Sequence, residues 1–273
     1  MKIAVVTGAS SGIGREFVRQ IGYFYQNLDE IWVIARRKER LERLREQSRI
    51  PLRIIDGDLL KKQVYKDYRK ELKECSPDVR MLVNAAGFGR SGTFQEIAKE
   101  NKKLQTDMVD LNCRALTQMI RLTLPYMDRG GRIINIASAA AFCPQPSFAV
   151  YAATKSYVLS LSRALHAELK PDGIIVTAVC PGPVDTEFFR TSGPLTDPLK
   201  KLTLAKAPAV VHKALTDSRR RKETSVYGIG MKTARLGAKV IPHRLILKAG
   251  MGIPVPKTKG GKILCNRHQK EKL

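Results

Sequence analysis

Short runs rich in Val and Ile recur at 2–7, 30–35, 51–56, 80–84, 132–137 and 174–180. They are apolar nearly throughout, which is the pattern of strands buried on both faces. Between them, stretches 12–26, 37–48, 60–74, 103–128 and 149–170 read as helices. The repeated strand–helix alternation predicts an α/β fold, a doubly wound parallel sheet with helices on both faces. Beyond Pro181 the pattern weakens, and residues 183–205, with Pro183, Pro194 and Pro198, read as a loop with short helices. A helix near 206–218 and a short strand near 224–228 then close a sheet of about seven strands.

Composition narrows the class. The chain has 273 residues, 43% of them hydrophobic, with 20 Gly and 14 Pro, enough to bury a full core. Collagen, coiled-coil, disulfide-scaffold and wholly disordered classes are excluded. Five cysteines, Cys75, Cys113, Cys143, Cys180 and Cys265, form no CxxC pair and are odd in number, which fits a reduced interior. Ile3 to Val6 is too short for the apolar part of a secretory signal, and no window reaches a membrane span. A cytoplasmic location is expected. His166, His212, His243 and His268 lack metal-ligand spacing, so no metal site is expected.

The net charge of +24 raises nucleic acid or anionic membrane as partners. Its distribution changes that picture. Residues 200–273 hold 19 Lys and Arg against 3 Asp and Glu, so two thirds of the excess lies there. In 231–250, Lys232, Arg235, Lys239, Arg244 and Lys248 intersperse with Leu236, Val240, Ile241, Leu245 and Leu247, as in a membrane-surface helix. Pro242 would kink or break that helix. Residues 251–273 read as a basic tail that either meets an acidic partner or is solvated.

The first strand runs into Thr7-Gly8-Ala9-Ser10-Ser11-Gly12-Ile13-Gly14. Gly8 permits a tight turn, Gly12 lets backbone approach a pyrophosphate, and Gly14 lets the next helix pack close to the strand. Free amides at the helix start face the phosphates. Ser10 and Ser11 either donate to phosphate or cap the helix. This TGxxxGxG turn resembles the short-chain dehydrogenase/reductase family. That resemblance spans roughly residues 2–250 and implies a single Rossmann-type NAD(P)-binding domain over 1–250, with 183–218 as a substrate lid.

The second strand ends Ala35-Arg36-Arg37, with Ala35 where NAD-binding versions carry a ribose-binding carboxylate. A carboxylate beside a 2′-phosphate would repel it by ~1–4 kcal/mol at 4 Å. Its absence, and the donor forks of Arg36 and Arg37, favour NADP(H) over NAD(H). The bland alternative, that the arginines merely begin a solvated basic helix, weighs more on Arg37 than on Arg36. Asp58 resembles the family aspartate near the adenine, with Leu59 following it.

Further motifs resemble the family in order and spacing. Asn84-Ala85-Ala86-Gly87 ends the fourth strand, Asn112 lies in the next long helix, and Ser138 ends the fifth strand. Tyr151-Ala-Ala-Thr-Lys155 gives YxxxK, and Pro181-Gly182 is followed by Val184 and Thr186. Tyr151 and Lys155 share one helix face. Ionising a tyrosine at pH 7 costs about 4 kcal/mol, and a nearby ammonium lowers that cost. Tyr151 then exchanges a proton with a substrate oxygen that Ser138 also binds. The resemblance implies that Lys155 holds the nicotinamide ribose and that Asn112 holds a water linking Lys155 to solvent.

Candidate substrate walls are Phe142, Cys143 and Pro144, with Phe188 and Phe189 after Pro183; the last two read equally as pins for a mobile lid. The apolar lining favours a hydrophobic ketone or long acyl group. Cys143 and Cys180 read as packing residues. The nearest resemblances are to bacterial oxidoreductases of unassigned substrate and to the branch with 17β-hydroxysteroid dehydrogenases and 3-oxoacyl-CoA reductases. An NADPH-dependent ketone reductase leads, with 3-oxoacyl-thioester reduction as the second enzymatic reading. A dinucleotide sensor or nucleic-acid binder would show a degraded Ser-Tyr-Lys set, so no nucleic acid is expected. By the resemblance, helices 103–128 and 149–170 would form a homodimer or homotetramer.

Overall fold

Ile3 and Val5 face one side of the first strand and Ala4 and Val6 the other, and all four are fully buried. A strand needs apolar residues in both parities only when each face is covered. In this computed structural model, which describes residues 1–193 and 204–251, both faces are covered by helices.

The elements follow in order β1 (Lys2–Thr7), α1 (Gly12–Phe24), β2 (Glu30–Ala35), α2 (Lys38–Gln47), β3 (Leu52–Asp56), α3 (Lys62–Cys75) and β4 (Asp78–Asn84). Next come α4 (Phe94–Glu100), α5 (Leu104–Val109), α6 (Leu116–Thr123), β5 (Arg132–Ile136), α7 (Ala149–Leu169) and β6 (Ile175–Val179). The chain then forms β7 (Val184–Asp185), α8 (Phe188–Ser192), β8 (Ala205–Lys206), α9 (Ala207–Arg219), β9 (Thr224–Ser225), α10 (Ile229–Val240) and α11 (His243–Met251).

Seven strands form one parallel sheet in the order β3-β2-β1-β4-β5-β6-β9. Phe17 and Ile21 of α1, Leu41 of α2 and Val211 of α9 fill one core layer. Tyr68 of α3, Met119 of α6 and Val158 of α7 fill the other. The strand order reverses between β1 and β4, so the chain leaves these neighbours in opposite directions and opens a crevice beyond their carboxyl ends. Gly8 and Asn84–Gly87 lie there. The expected sheet is present, and its last strand is shorter than expected.

Two expected helices differ in detail. The stretch 103–128 is interrupted at Asp110–Ala115 by a π-helical turn. The basic stretch 231–250 is divided between α10 and α11 at Ile241-Pro242, where proline cannot continue the helix. Of the anticipated lid, 194–203 lies outside the described residues, as does the tail beyond Met251. No helix among the described residues is long and apolar enough to cross a membrane.

Candidate active site

Gly8 turns the chain off β1 with φ +68°, and its amide donates to Ile34 O at 2.8 Å. A methyl on Gly8 would stand 2.7 Å from Ala86 N. Thr7 ties the same two segments together: its Oγ1 accepts from Ala85 N at 3.1 Å and Ala86 N at 3.2 Å. Gly14 backs onto the Gly8 carbonyl, too close for a side chain, which is the strand–helix contact its position predicts. Gly12, at φ +53°, faces Thr186, whose Cβ is 3.3 Å from the site of a methyl. Ile13 packs against the core behind the turn.

Ser11 precedes α1 without capping it. Instead Arg37 donates to Ser11 Oγ at 2.8 Å and to Ser10 Oγ at 3.1 Å. Arg37 and Arg40 both pair with Glu187, at 2.9 and 2.6 Å. These guanidinium groups hold the Glu187 carboxyl below the usual carboxylate range. Arg36 is exposed and forms no ion pair with a described residue. Asp58 Oδ1 accepts from Leu60 N at 3.0 Å, and Leu59 is buried within the core.

Asn84, at the end of β4, donates to Asn135 Oδ1 at 2.9 Å, and Asn135 donates to Ser162 Oγ at 2.9 Å. This buried chain links β4, β5 and α7. Asn112 projects from the π-helical turn and clamps Phe88, accepting from its N–H at 3.1 Å and donating to its carbonyl at 2.9 Å. It also donates to Thr154 Oγ1 at 3.0 Å. A methyl on Gly87 would stand 2.8 Å from Asn112 Oδ1 and 3.5 Å from Lys155 Nζ. Gly87 thus brings the backbone between those two side chains.

Ser138 and Tyr151 share a hydrogen bond. Ser138 Oγ also accepts from Ala140 N at 3.1 Å, and Ala139 N donates to Pro181 O at 2.8 Å, which fixes the turn after β5 against the turn after β6. Tyr151 and Lys155 are both buried on α7. Burial pushes the Tyr151 phenol up to about 12, with the Ser138 bond opposing, and pushes Lys155 down to about 8. The expected lowering of Tyr151 by Lys155 is therefore overridden. The lysine Nζ donates to Ile136 O at 2.7 Å and lies 5.6 Å from the centre of the tyrosine ring.

Three rings enclose this centre. Phe148 stacks on Tyr151 at 4.3 Å and Phe188 tilts against it at 5.4 Å. Gly89 lies under all three, and a methyl there would meet Phe188 and Tyr151 at 2.8 Å and Phe148 at 3.1 Å. Phe189 contacts Phe188 at 6.0 Å. Phe142 packs on the core, Cys143 is half-buried and Pro144 is exposed at the rim. Gly182 abuts Met231 of α10, and Val184 is buried where β7 pairs with β8. Burial raises the Cys143 thiol and pushes Cys180 up to about 12, neither favouring a thiolate. Among the described residues no group of three or more His, Cys, Asp or Glu is placed to hold a metal ion.

Sequence reasoning gave no role to Thr7, Arg40, Gly89, Phe148 as a ring partner, or Glu187. Thr7 opens the recognised glycine motif, and Glu187 follows Thr186.

Residues 2–195 match the short chain dehydrogenase family. An uncharacterized oxidoreductase of Staphylococcus epidermidis is 33% identical over 217 residues, covering 79% of this chain and 91% of that protein. The very-long-chain 3-oxoacyl-CoA reductase of Anas platyrhynchos is 34% identical over 203 residues, covering 71% of this chain and 63% of that protein. The short-chain dehydrogenase from Sphingobium yanoikuyae, solved in complex with NADPH, superposes with a TM-score of 0.73 at 27% identity, over 96% of this chain and 99% of that one. With the glycine turn at the sheet's switch point and Ser, Tyr and Lys converging beyond β5, these similarities make the chain a member of the short-chain dehydrogenase/reductase family, an NAD(P)-dependent oxidoreductase of carbonyl and alcohol groups.

Proposed function

We propose that the protein reduces a hydrophobic ketone to an alcohol with NADPH in preference to NADH. The observation that carries the reading is the placement of the Tyr151 phenol beside Ser138, under the rings of Phe148 and Phe188. A neutral phenol at pH 7 is a proton donor, which carbonyl reduction needs.

The residues present fit a dinucleotide. Gly8 and Gly12 hold the turn in left-handed backbone at φ +68° and +53°, the start of α1 has no side-chain cap, and Ser10, Ser11, Arg37 and Arg40 line its approach. Arg37, tied to both serines, supports the 2′-phosphate reading more strongly than exposed Arg36 does. Asn84, Ala85, Ala86, Gly87, Pro181, Gly182, Val184 and Thr186 would border the nicotinamide half. When bound, the reduced nicotinamide supplies the hydride.

The chain's own residues supply position and the proton. Ser138 and Tyr151 bind the substrate oxygen together, and Tyr151 transfers its proton as negative charge develops there. Lys155, buried beneath the tyrosine ring, keeps an ammonium near the phenolate that remains, and Asn112 holds the Phe88 backbone in place. Phe148 and Phe188 exclude water from the reacting oxygen. We read 1–250 as one domain with 183–218 as lid, Phe188 being its contact with Tyr151. Exposed Val109 and Tyr157 support assembly through α5 to α7.

The similarity to a 3-oxoacyl-CoA reductase favours acyl thioesters as the second substrate class. NADPH consumption over steroids, acyl thioesters, quinones and diketones tests both readings. Tyr151→Phe is expected to lower turnover by about 10²–10⁴-fold while NADPH binding persists. Retained turnover would remove Tyr151 from the mechanism.

A further inference from the structure

Helix α10 carries a surface that carbonyl reduction does not use. Ile229, Leu236 and Val240 lie within about 40° of one another around the helix. They are 81%, 63% and 74% exposed, and Ile241 and Leu245 extend the patch toward α11. Single exposed aliphatic residues need no explanation, but an aligned set on one helix does. The opposite side of α10 is seated on the protein: Met231 packs against the core beside Gly182, and Arg235 donates to Thr224 Oγ1 at 2.8 Å.

Charge identifies what the stripe meets. From Thr224 to Leu273 the chain holds eleven Lys and Arg and a single acid, Glu271. Lys232 and Lys239 edge the stripe, and Arg244 and Lys248 follow on α11. A second copy docked by two-fold symmetry would set these cations against their own equivalents, because the carboxylates beside α10 are already paired: Glu223 with Arg163, and buried Asp217 with Lys213 and Lys222. A nucleic acid would find aliphatic side chains at the centre of the patch, and no Phe, Tyr or Trp occurs from 228 onward to stack on a base. An aliphatic stripe edged by cations suits anionic lipid, where alkyl groups enter the headgroup boundary and ammonium groups remain at the phosphates.

We propose that α10 and α11 dock the enzyme peripherally on an anionic phospholipid surface, with Ile229, Leu236 and Val240 entering the interface.

The full chain is tested by sedimentation with vesicles of phosphatidylcholine alone and of phosphatidylcholine with phosphatidylglycerol. Binding is expected on the anionic vesicles only, and it should weaken as salt rises. Lys232→Gln with Lys239→Gln should weaken it by about fivefold per lysine, and Leu236→Ser with Val240→Ser should abolish it. Circular dichroism checks that both variants fold. Equal binding to both vesicle types, no binding at low salt, or undiminished binding by both variants overturns the proposal. Light scattering on the same samples covers the rival occupant: an assembly that dissociates in the Leu236→Ser, Val240→Ser protein, with no vesicle binding by the parent, assigns the stripe to a second copy.

Discussion

Arg37 and Glu187, 150 positions apart, meet in an ion pair of 2.9 Å that joins the glycine turn to the segment carrying Phe188. The same guanidinium that holds Ser10 and Ser11 thus already has an anion, and the adjacent residue leans on Tyr151.

A carboxylate on Arg37 and Arg40 competes with any phosphate that would use them. Glu187→Gln is therefore expected to tighten NADPH binding by roughly fivefold, the scale of a partly exposed ion pair, and to leave NADH binding nearly unchanged. Fluorescence titration with both nucleotides checks this. Weaker NADPH binding would mean that Glu187 holds the arginines in their binding posture.

Charge reversal distinguishes the two arginines. Arg36→Glu and Arg37→Glu should each move preference from NADPH toward NADH, with the larger change, on the order of tenfold or more, at Arg37. The NADPH/NADH ratio of kcat/KM is the readout. An unchanged ratio in both variants would sink the NADP assignment.

Lys155 sets a pH dependence of known sign. Its folded value of about 8 lies below the ordinary lysine value of 10.5, so between these pH values the unfolded chain holds a proton that the folded one has released. Burying the charged lysine costs stability in full below about pH 8, and that cost disappears as pH rises toward 10.5. Lys155→Met removes the titration. The stability of the parent relative to this variant should thus rise between pH 8 and 10.5, by up to a few kcal/mol. Denaturant unfolding of both proteins across that range measures it, and a flat difference would contradict the buried, proton-poor lysine.

Gly89 is expected to be intolerant. A methyl there overlaps Phe188 and Tyr151, so Gly89→Ala should cost about 1–3 kcal/mol and displace Phe188. Adding Phe188→Ala removes one overlap and gives the Tyr151 ring room to shift, so the double variant should lose less Tm than the two single variants summed. Fully additive losses would place the strain elsewhere.

The sheet and the motifs at its carboxyl edge were legible because both rest on local pattern. Buried parallel strands need unbroken Val and Ile, and Gly8 and Gly14 answer close backbone contacts. The rest depends on distance in space. Nothing near Gly89 announces three rings above it, since Phe148, Tyr151 and Phe188 arrive from other segments. Nor could spacing show that the Lys155 ammonium is committed to Ile136 O, which leaves burial to govern Tyr151. Arg37 outranked Arg36 only once the turn brought Ser10 and Ser11 beneath it.

The π-helical turn at Asp110–Ala115 has a consequence for how this helix tolerates change. A π turn holds one residue more than the α-helix around it, so the halves before and after it are out of phase by about 100° of rotation. Met108 faces the core ahead of the turn, Met119 and Ile120 face it afterwards, and Asn112 points inward between them. Deleting one residue here would restore a regular helix and keep every hydrogen bond of the backbone ladder. It would also swing one half of the helix off its core contacts or carry Asn112 away from Phe88. The segment is thus more sensitive to a change of length than to a change of side chain.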